Sequence, residues 1–155
     1  MTEKIIRIAN CSGYYGDKLS AAKEMVEGGP IDVLTGDYLA ELTMAILYSQ
    51  KLQRGEDKGY VGTFLKKLKD IAKTCKDQNI KIISNAGGLN PKSMAKEIAR
   101  ILAELNVDAT VAYIDGDDLI EELEQLQTQG ETFENIDRKI PLAQSGCKIL
   151  TANTY

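Results

Sequence analysis

The sequence predicts an α/β fold, a parallel sheet of about five strands with helices on both faces, doubly wound in the Rossmann manner. Three observations carry this. Short runs rich in Ile and Val alternate with longer stretches whose apolar residues recur every three or four positions. Most of the short runs end in Gly, Asn or Asp turn residues. The alternation closes on a strand, with no linker and no repeat of solenoid period, so residues 1–155 read as one α/β domain. Part of a β/α barrel is the alternative, because it has the same local pattern.

The first strand is expected at Ile5 to Asn10, closed by Cys11-Ser12-Gly13. A helix from Lys18 to Glu27 stops at Gly28-Gly29-Pro30, a C-terminal signal. Ile31 to Leu34 is the second strand, followed by a helix from about Tyr38 to Leu52 and another from Tyr60 to about Asp77. In the latter, Val61, Phe64, Leu65, Leu68, Ile71, Ala72 and Cys75 form one apolar stripe, and Lys66, Lys67, Lys69 and Asp70 are expected in water. Ile80 to Ser84 is the third strand. Asn90-Pro91 then sets a capping amide before a proline at the first helical position, with Met94, Ile98, Ile101, Leu102 and Leu105 as the buried stripe. A fourth strand is expected at Ala109 to Ile114. Asp118 with Glu121 resembles a capping box for a helix from Leu119 to Gln127. Gln129 to Arg138 reads as a surface loop and Cys147 to Ala152 as the fifth strand.

Composition limits the chemistry. The chain has no His, which excludes Ser-His-Asp and Cys-His catalysis and imidazole metal sites from its own residues. Nineteen basic against 23 acidic residues leave a net charge of −4 without a basic patch, so no nucleic-acid partner is expected. The N-terminus lacks the pattern of a signal peptide, and no stretch approaches the ~18 apolar residues of a membrane span. Three cysteines without CxxC spacing fit a reduced, cytoplasmic setting.

In an α/β fold of this kind the functional edge lies at the C-terminal ends of the strands. The turns there are Asn10-Cys11-Ser12-Gly13, Gly36-Asp37, Asn85-Ala86-Gly87-Gly88, Asp115-Gly116-Asp117 and Asn153-Thr154. Asn, Asp and Gly are ordinary turn residues, yet five such turns on one edge also describe a polar site. The adjacent Gly87 and Gly88 before a helix start suggest a backbone anion site for phosphate or carboxylate. It is neither a Walker loop nor a dinucleotide fingerprint, so no cofactor can be named. Asp37 and Glu41 are four apart; they read either as an acid/base or metal-oxygen pair, or as a helix cap and a favourable charge for the dipole. Cys11 could be a nucleophile only without a His base, and burial is its simpler role. The helix from Tyr38 to Tyr48 is apolar nearly all round, which suggests a subunit or domain interface.

Four segments together resemble a known family. Ile8-Ala9-Asn10-Cys11-Ser12-Gly13-Tyr14-Tyr15-Gly16-Asp17, Gly36-Asp37-Tyr38-Leu39-Ala40-Glu41-Leu42-Thr43-Met44, Ser84-Asn85-Ala86-Gly87-Gly88-Leu89-Asn90-Pro91 and Ile114-Asp115-Gly116-Asp117-Asp118 are similar, in this order, to the acyclic terpene utilisation family, specifically the N-terminal domain of the first protein of the citronellol and geraniol degradation cluster. The resemblance implies an enzyme or enzyme subunit acting on a carboxylate or acyl-CoA intermediate of branched acyclic terpene catabolism. It also implies that the chain corresponds to an N-terminal portion of a longer pattern. The resemblance carries over motif positions and no catalytic residue by name; in an enzyme reading of the strand-end turns, Asp37, Glu41, Asp115 and Asp117 are expected to supply the carboxylates, in acid/base or metal-assisted chemistry of a lyase or hydratase kind. Asn10, Ser12, Gly13, Asn85, Gly87, Gly88, Asn90 and Asn153 are the ligand-binding positions, and no metal-ligand set is assigned. A homo-oligomer, a second domain or a second subunit is the expected macromolecular partner. The alternative is a non-catalytic ligand-binding or assembly subunit.

Overall fold

A computed structural model describes residues 5–154, so the terminal Tyr155 lies outside it. The chain falls into two compact units, Met1–Ile114 and Asp115–Tyr155.

The first unit contains β1 (Ile8–Asn10), α1 (Ala21–Glu27), β2 (Val33–Gly36), α2 (Glu41–Arg54), α3 (Gly62–Asp77), β3 (Lys81–Ser84) and α4 (Pro91–Glu104). The strands form a parallel sheet in the order β1-β2-β3. Ala9, Leu34 and Ile82 stand in register, as do Asn10, Thr35 and Ile83. Since side chains alternate across a strand, each triplet lies on one face. The first packs against Ala22 and Val26 of α1 and Ile71 and Cys75 of α3. A second core cluster joins Tyr38, Leu47, Phe64, Leu68, Met94 and Leu102 around α2, α3 and α4.

The opposite sheet face is open. Ile8 is 65% and Ile83 61% exposed, with Asn10 and Lys81 exposed between them. Strands laid down in sequence order with right-handed crossovers send their connecting helices to the same side. The second helical layer expected from the sequence is therefore missing among the described residues. A doubly wound sheet reverses direction partway along its strand order, and this one does not.

The sheet has three strands rather than five, and it does not close into a barrel among the described residues. The two absent strands fail for one reason. Residues 109–114 have suitable side chains, but among the described residues no backbone hydrogen bond ties them to a neighbouring strand, and Ile114 is 92% exposed. Residues 147–152 form no strand either, and only an isolated antiparallel bridge, Asp118 to Asn153, follows them. A strand exists through its ladder, and local side-chain preference cannot supply the partner.

Helix starts also differ. The helix expected from Lys18 begins at Ala21, and the one expected from Tyr38 begins at Glu41, after an extended Ala40. In the second unit, α5 (Leu123–Thr128) starts four residues later than the Leu119 that an Asp118 cap implies. Asp118 instead accepts the Ile120 N–H in a local turn, at 3.0 Å. A single 3-10 turn, Leu142–Gln144, follows. No helix among the described residues is long and apolar enough to cross a membrane.

Candidate functional site

The ends of β2 and β3 are joined by one side chain. The Asn85 carboxamide donates to Asp37 Oδ1 at 2.7 Å and accepts from the Tyr38 N–H at 2.9 Å. Asp37 N–H in turn donates to the Ser12 carbonyl at 2.9 Å, which ties in the end of β1. Asp37, Asn85 and Ser12 thus meet at the C-terminal edge, and the Asp37 carboxylate faces solvent. Asn10 lies on the same edge, where its Oδ1 accepts from Thr35 Oγ1 at 3.3 Å. Ser12 is buried and donates to the Tyr14 carbonyl. Gly13 N–H donates to Asp17 Oδ2 at 2.9 Å, and this bond with the Lys18 N–H holds the Asp17 carboxyl below its ordinary range.

Asp37 and Glu41 do not share a helix face. The first helical residue is Glu41 and the cap position is Ala40, so Asp37 lies in the turn before the helix and caps nothing. The four-residue spacing has its geometric meaning only inside a helix.

The glycine turn is explained by packing. A Cβ on Gly88 would lie 2.3 Å from Leu47 Cδ1 and 2.9 Å from the Gly59 carbonyl oxygen, and its φ of +52° is itself a glycine conformation. A Cβ on Gly87 would lie 2.8 Å from the Pro91 Cβ. The Gly88, Leu89 and Asn90 amides donate to the carbonyls of Asn85, Gly59 and Gly87. Among the described residues this leaves the Asn85 and Gly87 amides of the turn without an internal acceptor, a reduced basis for anion binding. Asn90 is the α4 cap: its Oδ1 accepts from Ser93 N–H and its Nδ2 donates to the carbonyls of Glu56 and Lys58.

In the second unit Asp117 and Asn153 form a matching pair. Asn153 Nδ2 donates to Asp117 Oδ2 at 3.0 Å, and Asn153 Oδ1 is buried with no partner. Asp115 is exposed, and no group of three or more Cys, Asp or Glu residues gathers as a metal site among the described residues. A shallow groove in this unit is lined by Leu123, Phe133, Ile140, Leu142 and Ile149. Cys147, expected at the start of the fifth strand, is exposed.

One residue of the edge escaped the sequence reading. Lys67, expected in water, is 2% exposed. Its ammonium donates to the Cys11 carbonyl at 3.0 Å and lies 5.2 Å from the centre of the Tyr38 ring. Spacings of three from Phe64 and four to Ile71 put it on the apolar stripe, and that was the available signal. Around it, Tyr38 is 1% exposed and its hydroxyl lies beside Ser12 and Cys11. Burial pushes the Tyr38 hydroxyl and the Cys11 thiol above their ordinary pKa, and the Lys67 charge opposes the shift at Cys11.

The model of the acyclic terpene utilisation family protein AtuA matches residues 6–155. The chain belongs to this family. No curated protein and no solved structure matches it. The family match spans both compact units, and it takes in the Asp37–Asn85 and Asp117–Asn153 pairs alike. As an acyclic terpene utilisation family protein, the chain presents in its first unit a carboxylate, a carboxamide and a buried ammonium at one sheet edge.

Proposed function

We propose that this family member acts in the cytoplasm, as an enzyme or enzyme subunit, on a carboxylate or acyl-CoA intermediate of branched acyclic terpene breakdown, such as arises from citronellol or geraniol. The observation that carries the reading is the solvent-facing Asp37 carboxylate, held at 2.7 Å by Asn85 across the ends of two parallel strands. A carboxylate with one oxygen fixed and the other free is poised to move a proton at a bound substrate. In this reading Asn10, Ser12, Gly13 and Asn85 orient the ligand's oxygens, Gly87, Gly88 and Asn90 shape the wall beside it, and Glu41 is the nearest further carboxylate in sequence. Within the second unit, Asp115, Asp117 and Asn153 form a carboxylate and amide set of the same kind.

The test is turnover of CoA thioesters of branched, unsaturated acids by the full chain. Asp37→Asn keeps the shape and an oxygen for Asn85, and it is expected to lower turnover by about 10²–10⁴-fold. Unchanged turnover in a folded Asp37→Asn protein removes Asp37 from the chemistry. The open sheet face, with Ile8 and Ile83 exposed, favours the second reading, a non-catalytic binding or assembly subunit. Saturable binding of the same thioesters without turnover, together with self-association that is lost in Ile83→Thr, selects it.

A further inference from the structure

We propose that the outward face of α2 is the seam of a two-fold dimer, in which α2 of one copy packs antiparallel against α2 of a second copy. The inference goes beyond the reading of the Asp37 edge and stands apart from it, since the seam residues Leu42, Ala45, Ser49 and Leu52 play no part in that edge.

The core side of α2 is set by Thr43, Met44 and Leu47, which are buried. At about 100° per residue, Leu42, Ala45, Ser49 and Leu52 fall on the opposite side. All four are exposed, Leu42 at 73% and Leu52 at 67%, and the half-buried Ile46 and Tyr48 flank them. Lys51 is the one charged residue between Leu42 and Gln53. It follows Leu47 by four positions, so it sits on the core side, and it pairs with Glu56 at 2.9 Å. The outward face of α2 is therefore uncharged over this span. The other three helices of the first unit differ: α1 exposes Lys23 and Glu27, α3 exposes Lys69 and Lys73, and α4 exposes Lys96 and Arg100. A surface helix keeps charge on its outer face, and loss of that charge is a mark of an interface centre.

The spacing selects the occupant. Intervals of three, four and three residues read the same in both directions. A two-fold axis at the level of Leu47 thus sets Leu42 against Leu52 of the second copy and Ala45 against its Ser49. The small central pair lets the two backbones approach, and the leucines close both ends. The charges agree with this direction. Glu41 opens the helix and Arg54 closes it, both exposed and neither in an ion pair among the described residues. An antiparallel pair brings each Glu41 towards the Arg54 of the other copy and opposes the helix dipoles, whereas a parallel pair sets like against like. The helix has 14 residues and so is about 21 Å long. A seam of that length falls short of the roughly 800 Å² per partner of a standard interface, which makes the dimer a weak one.

Sedimentation equilibrium of the full chain tests this, with a monomer–dimer Kd on the order of 10–100 µM expected. Ala45→Glu buries two unpaired carboxylates in the seam and should weaken dimerisation at least about tenfold. Its unfolding midpoint, measured well below that Kd, should equal the wild type's, because residue 45 is exposed in the single copy. Ile83→Thr, on the open sheet face, should dimerise as the wild type does. In a Cys147→Ser background, a mixture of Ala45→Cys and Ser49→Cys copies should form the mixed disulfide faster than either forms its own. A chain that stays monomeric throughout, or a dimer that persists in Ala45→Glu, overturns the seam. Dimerisation lost in Ile83→Thr and kept in Ala45→Glu overturns it in favour of the sheet face. A monomer whose midpoint falls in Ala45→Glu overturns it by showing that the chain itself covers α2. Faster cross-linking of like copies overturns the antiparallel pairing.

Discussion

Single residues in this chain differ sharply in how much their surroundings demand of them. Gly88 has a positive φ and backbone within 2.9 Å of any added Cβ, while Gly62, at the first position of α3, faces open space. Gly88→Ala is therefore expected to destabilise by about 2 kcal/mol or more through overpacking and strain. Gly62→Ala should stabilise by about 0.4–1 kcal/mol by restricting the unfolded chain. Urea denaturation of the two variants checks the contrast. The cysteines divide in the same way: Cys11 and Cys75 are buried and Cys147 is exposed. Brief alkylation of the native protein at neutral pH should label Cys147 alone, as read by peptide mass. Burial pushes the Cys75 thiol up to about 11 from an ordinary 9.0. The unfolded chain then releases this proton first as pH rises, so the stability contributed by the buried thiol is lost between those two values. Comparing the pH dependence of unfolding with that of Cys75→Ala isolates the effect: the wild type should decline more steeply across that window.

Elements are governed by what terminates them and what lies beneath them. The start of α4 was legible, since an amide before a proline is a cap signal, and Asn90 does cap Ser93 N–H at 3.1 Å. Its other amide end, donated to two carbonyls of the α2–α3 connection, was not legible, because those partners lie 32 and 34 residues away. Asn90→Ala should cost about 1–2 kcal/mol for the cap, and more through the orphaned Glu56 and Lys58 carbonyls. Denaturant unfolding measures it, and a loss under 0.5 kcal/mol would show those bonds to be replaced by water. By contrast the Arg100 pairs with Glu97 and Glu104 lie on the solvent side of α4 and are expected to contribute little. Stripe spacing located the core face of α3 correctly at Phe64, Leu68, Ile71 and Cys75. Lys67 shares that stripe by spacing, and only its charge pointed to water.

Across the whole molecule, the decisive event is which segments find hydrogen-bonding partners. Residues 108–114 belong to no helix or strand, and Tyr113 and Ile114 are exposed just before Gly116 at φ +106°. Limited chymotrypsin digestion should cut after Tyr113 ahead of any cut at the buried Tyr38 or Tyr60. Cleavage at Tyr38 or Tyr60 first would show that the core opens before this segment does. The sheet carries the larger consequence. Parallel sheets are ordinarily covered on both faces, and here one face presents Ile8 and Ile83 to solvent.

What the sequence by itself determined is local: three strands, four helices before residue 105, the α4 cap, the buried Cys75 and the motifs that mark the family. Each follows from periodicity or turn chemistry within a window of about 20 residues or fewer. The tertiary structure decided the rest. It determined that 109–114 and 147–152 are not strands, because a ladder needs a partner that local preference cannot provide. It packed the glycine turn against Leu47. It joined Asp37 to Asn85, 48 residues away, and carried Lys67 to Cys11, 56 residues away. Those pairings depend on strand order and helix packing, which bring together groups whose separation along the chain is far longer than any repeat of helix or strand.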